Sequence, residues 1–247
     1  MRGRLARVLG RLRPRLAPRA QRERLRAWER DLARLAPELA ARGWSVVPYP
    51  LFEGGAHPEG YVDFECRFAA WHLRRERPAA VLDVGSYRHF VLGLSAALQV
   101  TAVDVRPRRP GLGTEAVLTC DAREIDAPDA SFDAVVSLSS VEHFGLGRYG
   151  DPLDLDGDVR AAAEMRRVLR PGGVLVLTTP LTRGTRTVAF NAHRIYDLAA
   201  ARALFAGFEP VDERCFSLAR REECALHEAT DAPGAWDVYC GCWRRPA

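Results

Sequence analysis

Apolar positions follow two regimes along the chain. In the first part they recur at helical spacing. Leu5, Val8, Leu9, Leu12 and Leu16 share one face of a segment whose other face carries arginine, with Pro14 and Pro18 interrupting. Leu25, Trp28, Leu32, Leu35 and Leu39 repeat at spacings of 3-4-3-4, an amphipathic stripe with Pro37 inside it and Gly43 at its end. Residues 46–62 are rich in proline and glycine without a period and predict a linker or an ordered loop. Phe64, Phe68, Trp71 and His72 line one face of a further helix over Tyr61–Arg75.

From Ala79 onward, short apolar runs alternate with helical patterns. Strands are predicted at Ala80–Val84, Val100–Val105, Ala116–Thr119, Phe132–Leu138, Val174–Thr178, Phe208–Arg214 and Trp236–Trp243. Helices are predicted at Phe90–Leu98, Asp158–Leu169 and Ile195–Phe205, the second closed by Pro171-Gly172-Gly173. A run such as Val174-Leu175-Val176-Leu177 has no polar side, so it is buried on both faces, as parallel strands are. The alternation predicts an α/β fold with an open, doubly wound sheet and right-handed crossovers. It divides the chain into an Arg-rich amphipathic helical extension (1–45), a linker and helix packing on the core (46–78), and the α/β domain (79–247).

Composition adds constraints. With 247 residues, 47% apolar and 28% charged, the chain reads as globular. Its longest uncharged stretch, His89–Val103, is 15 residues and too polar to span a bilayer. Six cysteines, thinly spread and with no apolar h-region near the N-terminus, predict free thiols in a reducing cytoplasm. All 36 basic residues are arginine. Residues 1–45 hold 13 of them against 4 acids, net +9, whereas residues 46–247 hold 23 against 28 acids, net −5. Three readings of the basic segment stay open: a lid over the ligand edge of the sheet, an oligomerisation element, or peripheral contact with an anionic membrane surface. Nucleic acid is disfavoured, since no recognised module is present and the body is net acidic.

Ligands of such a sheet bind at the carboxyl ends of its strands. After the first strand, Gly85 lets backbone approach a ligand. G-x-G-x-x-G is absent, which argues against a nicotinamide dinucleotide. Asp104, 19 residues beyond Gly85 and after the second strand, suits the two hydroxyls of a ribose. Asp121, after the third, suits an adenine amino group. Asp154-Leu155-Asp156-Gly157-Asp158 lacks the glutamate a calcium loop needs, Met165 standing there; Asp158 is expected to cap the following helix instead. Cys224-x-x-His227 and Cys240-x-Cys242 offer zinc-type ligands, but a C-x-C pair on a strand points to one face. No metal is expected.

The order Val81-Leu82-Asp83-Val84-Gly85-Ser86, Val103-Asp104, Cys120-Asp121-Ala122, Phe132-Asp133-Ala134-Val135-Val136-Ser137 and Leu169-Arg170-Pro171-Gly172-Gly173 before a buried strand resembles class I S-adenosylmethionine-dependent methyltransferases over about residues 79–243. Glu142-His143-Phe144 with Gly145-Leu146-Gly147-Arg148-Tyr149-Gly150-Asp151-Pro152, and Asn191-Ala192-His193-Arg194-Ile195-Tyr196, is similar to an uncharacterised family of methyltransferase-like domains. The wider resemblance implies a Rossmann-like fold and S-adenosyl-L-methionine as cofactor. Asp83 and Gly85 then belong to the methionine end, with Ser86 also binding the cofactor, Asp104 to the ribose diol, Asp121 and Ala122 to the adenine, and Ser137 and Leu138 to the sulfonium. The usual second and third glycines are replaced by Tyr87 and His89, so Tyr87 and Arg88 add bulk where the cofactor normally passes.

Methyl transfer to a hydroxyl needs alignment and a base. His143 and His193 are the candidate bases, with Glu142 to orient one of them or contact the acceptor. Arg148 and Arg194 suit an anionic part of the acceptor. Tyr149 and Asn191, in the same segments, complete the acceptor-binding set. The expected function is methyl transfer to a small-molecule, glycan or secondary-metabolite acceptor, on oxygen. The alternative is a catalytically silent scaffold of the same shape.

Overall fold

In a computed structural model, residues 19–52, 59–109 and 114–247 are described. The amphipathic segment expected over residues 1–16 lies outside them. The chain divides into two compact units at residues 58/59. The first contains helix α1 (Arg19–Ala41), which continues through Pro37.

The second unit begins with helix α2 (Tyr61–Glu76). Asp63 accepts from the Gly60 N–H at 2.7 Å and closes its first turn; Arg77, in the left-handed conformation, ends it. Phe64, Phe68, Ala69 and Leu73 are buried along one face, and Glu65 and His72 are buried with them.

There follow β1 (Ala80–Val84), α3 (Arg88–Ser95), β2 (Gln99–Val103), β3 (Glu115–Leu118), β4 (Phe132–Leu138), α4 (Gly157–Val168) and β5 (Leu169–Leu181). The short hairpin β6 (Thr187–Ala189)–β7 (His193–Ile195) and helix α5 (Leu198–Ala203) come next, then β8 (Glu209–Ser217), β9 (Glu222–Cys224) and β10 (Asp237–Arg244). The sheet order is β3-β2-β1-β4-β5-β10-β8-β9. Strands β1 to β5 pair in parallel; β10 pairs antiparallel with both β5 and β8. The core has two layers. Leu82, Val135, Met165 and Leu177 pack on the side of α4; Val81, Val136 and Val176 pack with Phe64 and Phe68 of α2.

The doubly wound α/β expectation holds, with three local differences. The expected helix Ile195–Phe205 is shorter. Ile195 ends β7, and Asp197 caps α5 by accepting from the Ala200 N–H at 2.7 Å. Pro171-Gly172-Gly173 does not precede β5 but bulges from its start, because Phe132 pairs with Leu169 while Ala134 pairs with Val174. The last strand is antiparallel. Cys240 and Cys242 lie in the α2-side core, whereas Cys224 packs against the opposite core, so the zinc-type residues do not converge. Among the described residues no group of side chains is arranged to hold a metal.

Candidate active site

Strand β1 has β2 on one side and β4 on the other, so the connections leaving β1 and β4 part company and open a crevice. A cleft lies there, lined by Gly85 after β1, Asp104 after β2, Asp121 and Ala122 after β3, and Ser140 after β4. Gly85 has φ +74°, and a Cβ on it would stand 2.3 Å from Ser140 Oγ. Only glycine fits this turn without displacing Ser140, whose hydroxyl donates to the Gly85 carbonyl at 2.9 Å.

Both carboxylates in the cleft are held by an arginine two residues on. Asp104 Oδ1 accepts from the Arg106 N–H and Nε at 2.9 and 3.0 Å, and Oδ2 from Nη2 at 3.0 Å. Burial alone would raise this carboxyl, but these bonds and the guanidinium charge hold it below the usual carboxylate range. Asp121 repeats the pattern with Arg123, at 2.9, 2.9 and 2.6 Å, and is likewise depressed, here chiefly by the side-chain bonds.

Tyr87 does not crowd the cleft. Its hydroxyl donates to Glu65 Oε2 at 2.8 Å, which draws the ring to the α2 side of the sheet. Arg88 pairs with Glu115. Glu65 is fully buried and also accepts from Ser139 Oγ at 2.5 Å and Thr178 Oγ1 at 2.7 Å. One carboxyl of α2 thereby gathers the chain ends that follow β1 and β4 and the end of β5. Burial raises its pKa.

Asp83 and Ser86, expected at the cofactor beside Gly85, and both residues expected at the sulfonium, sit differently. Asp83 is buried beneath the cleft rather than in its lining, and neither of its oxygens has a hydrogen-bond partner. Burial pushes this carboxyl up to about 7. Ser86 Oγ accepts from the Leu138 N–H at 3.0 Å, so its oxygen serves the backbone. Gly85 alone of the three lines the cleft. Ser137 donates to the Val84 carbonyl at 3.0 Å, and Leu138 is in the α2-side core. The sheet pairing of β4 continues through Leu138, so both side chains stay within the layers, and Ser140 is the residue that reaches the cleft.

Next to the cleft, Val141–His143 form a 3-10 turn. His143 Nδ1 lies 2.6 Å from the Ala192 carbonyl. A carbonyl only accepts, so Nδ1 carries the proton and Nε2 the lone pair. Burial, with the Arg148 charge adding to it against the Ala192 bond, lowers this imidazole to about 4. Glu142 Oε1 is 3.8 Å from Nε2; burial pushes the Glu142 carboxyl up to about 8, so at neutral pH a neutral acid faces a neutral imidazole. His193 stands 6.3 Å from the His143 ring, with Trp236 on its other side at 6.0 Å and Tyr61 beyond at 5.8 Å.

Arg148 is exposed; its Nη1 donates to the Ala192 carbonyl at 3.1 Å and lies 3.3 Å from His143 Nε2, close enough to donate to that lone pair until an acceptor draws the guanidinium away. Asn191 is exposed. Tyr149 lines the cleft under the Arg106 guanidinium, 4.6 Å away. Arg194, expected at the acceptor, is instead a buried brace. It donates to the carbonyls of Phe144 at 2.7 Å and Leu155 at 3.1 Å and lies 3.5 Å from Asp158. Its burial follows from the 144–157 loop folding back over β7. The aromatic neighbours Tyr61 and Trp236, the acid Glu65 and the arginines 106 and 123 carry no local sequence motif for this site. The one available signal was Asp-x-Arg occurring twice, each time just after a strand.

A parallel sheet in the order 3-2-1-4-5, extended by antiparallel strands and carrying its cleft beyond β1, β2 and β3, is the Rossmann-like fold of class I S-adenosylmethionine-dependent methyltransferases. Residues 116–232 match a family described as Caenorhabditis protein of unknown function, DUF268. The structure is similar to Burkholderia thailandensis 1,6-didemethyltoxoflavin-N1-methyltransferase, crystallised with 1,6-didemethyltoxoflavin and S-adenosylhomocysteine (20% identity, 95% of this chain and 93% of that one, TM-score 0.54). It is similar to the N-methyltransferase NodS from Bradyrhizobium japonicum WM9 with S-adenosylhomocysteine (16%, 76% and 90%, TM-score 0.54). It is equally similar to the [4+2]-cyclase SpnF (19%, 74% and 81%, TM-score 0.54), so the fold by itself does not fix the reaction.

Proposed function

We propose that this chain is an S-adenosylmethionine-dependent methyltransferase acting on an oxygen of a small-molecule acceptor that carries an anionic group. The observation that carries the reading is the meeting of Gly85, Asp104, Asp121 and Ala122 in one cleft at the switch point of the sheet. The residues suit the cofactor: a glycine-only turn for close backbone approach and two carboxylates at successive strand ends. Asp104 would accept from the ribose hydroxyls, Asp121 from the adenine amino group, and Ala122 would lie beside the ring. When bound, S-adenosylmethionine supplies a methyl group activated by a sulfonium.

The acceptor side belongs to His143. Its Nε2 lone pair takes the hydroxyl proton, while the Ala192 carbonyl holds the ring in that tautomer. An anion on Arg148 would offset the positive charge that helps depress the imidazole and return His143 toward the basicity the step needs. Glu142 orients from 3.8 Å as a neutral acid, and His193 lines the same side. The rival scaffold reading rested on bulk at Tyr87 and Arg88. Both side chains are engaged elsewhere, by Glu65 and Glu115, which speaks against that crowding.

Calorimetric titration with S-adenosylhomocysteine tests this. The wild type should bind, and Asp104→Ala should lose about 1–3 kcal/mol, roughly 5- to 150-fold, by leaving the ribose hydroxyls without an acceptor. Equal affinities would discard the Asp104 assignment. No heat at about millimolar ligand from folded wild type would return the scaffold reading.

A further inference from the structure

The sequence places Asp-x-Arg after two adjacent strands, Asp104-Val105-Arg106 after β2 and Asp121-Ala122-Arg123 after β3, and the structure closes both into the same fork. Each arginine then reaches the same loop, residues 144–157. The Arg106 guanidinium lies over the Tyr149 ring, 4.6 Å from its centroid. Arg123 Nη1 donates to the Pro152 carbonyl at 3.1 Å and to Asp154 Oδ2 at 3.2 Å. The loop has internal structure. Asp151 accepts from the N–H groups of Gly145, Gly147 and Tyr149 at 3.0, 3.3 and 3.1 Å, so one carboxylate ties its first half together. That half lines the cleft through Gly145 and Tyr149, begins next to His143 and carries Arg148.

The two forks differ in exposure, and that difference assigns their parts. The Arg106 side chain is 61% exposed and the Arg123 side chain 10%. A carboxylate offers about four lone-pair positions. On Asp104 three are taken by Arg106. A diol seeking two of them displaces the exposed guanidinium, which water can receive, whereas the enclosed Arg123 has nowhere to go.

We propose that Arg106 and Arg123 are positioning residues that make the acceptor loop respond to a nucleoside in the cleft. Arg106 is the partner that yields to the ribose diol and releases Tyr149, and Arg123 is the fixed anchor about which the loop resets. The acceptor site carried by His143 and Arg148 is then set by the nucleoside-bound cleft, so the cofactor binds first. This rests on the proposed cofactor reading.

The test is titration of the full chain with S-adenosylhomocysteine, together with hydrogen exchange of residues 144–157 with and without it, in wild type, Arg106→Ala and Arg123→Ala. Without ligand, Arg106→Ala should exchange faster over 145–151 than wild type, and the two should converge at saturation. Arg106→Ala should bind about fivefold tighter, the worth of an exposed ion pair the ligand no longer has to break. Arg123→Ala should bind more weakly. These opposite signs are what two merely structural arginines would not give. Tyr149→Phe, which keeps the ring under the guanidinium, should exchange like wild type. Equal or weaker binding by Arg106→Ala, or an exchange difference that persists at saturation, overturns the inference and leaves the proposed function standing. The Arg106 result decides this even if Arg123→Ala does not fold. Absence of binding in wild type and Arg106→Ala alike overturns the proposed function and this inference with it.

Discussion

Glu142 offers a measurement in which sign as well as size is fixed. It is 2% exposed, and its carboxyl is pushed from an ordinary 4.5 up to about 8, first by burial and further by the nearby charge of Glu65. Throughout that interval the folded chain keeps the proton and the unfolded chain sheds it. Raising the pH therefore removes stability, at about 1.4 kcal/mol per pH unit for one such group. From about pH 5 to about pH 7.5 the loss approaches roughly 3 kcal/mol. Glu142→Gln has nothing to titrate and nearly the same shape. At the acid end the variant and the wild type should differ by about 1 kcal/mol or less, since each presents a neutral group. At the upper end the variant should be the more stable by up to about 3 kcal/mol. Urea denaturation of both proteins across the range reads the gap directly; titrating groups remote from Glu142 are common to both and cancel, and the gap reports Glu142 together with its coupling to Glu65 and His143. A gap that stays constant with pH, or one that grows toward acid, would refute the argument.

Two further outcomes follow from packing. Glu65→Leu strands the hydroxyls of Tyr87, Ser139 and Thr178 without their acceptor and should cost about 2–4 kcal/mol by urea denaturation; a cost under about 1 kcal/mol would mean that the three groups find other partners. Gly145 has φ +74°, and a Cβ on it would meet the Asp154 carbonyl oxygen at 2.2 Å. Gly145→Ala should therefore lower stability by about 2 kcal/mol or more and speed exchange in residues 144–157, and wild-type exchange there would count against the fold given to this loop.

Strands β1, β4 and β5 were legible because a strand covered on both faces needs an unbroken apolar run, and Val81–Val84, Ala134–Val136 and Val174–Leu177 supply one, interrupted only by Asp83. The antiparallel insertion of β10 was not legible, since periodicity reports which faces are covered and not which strand lies alongside. The short strands β6, β7 and β9 are three residues each, too brief for a period to register. The placing of Gly85, Asp104, Asp121 and Ala122 in one cleft was legible because residues that follow the ends of parallel strands share one edge of the sheet. Ser137 and Leu138 lie two to three residues short of Ser140, the residue after β4 that lines the cleft, because the sequence does not mark where backbone pairing stops. Arg194 looked like an acceptor contact until its partners came into view. These are carbonyls 50 and 39 residues away, and no local pattern announces them.

The contacts of Glu65 bear on how this protein should be cut. A fragment begun at residue 79, where the alternation of strands and helices starts, would look like a whole domain on paper. It would lack the one carboxyl that Tyr87, Ser139 and Thr178 share, together with the aromatic side chains of α2 that cover one face of the sheet. The helix that precedes the first strand is the floor under the turns beside the cleft, and any minimal version of the protein has to start upstream of Gly60.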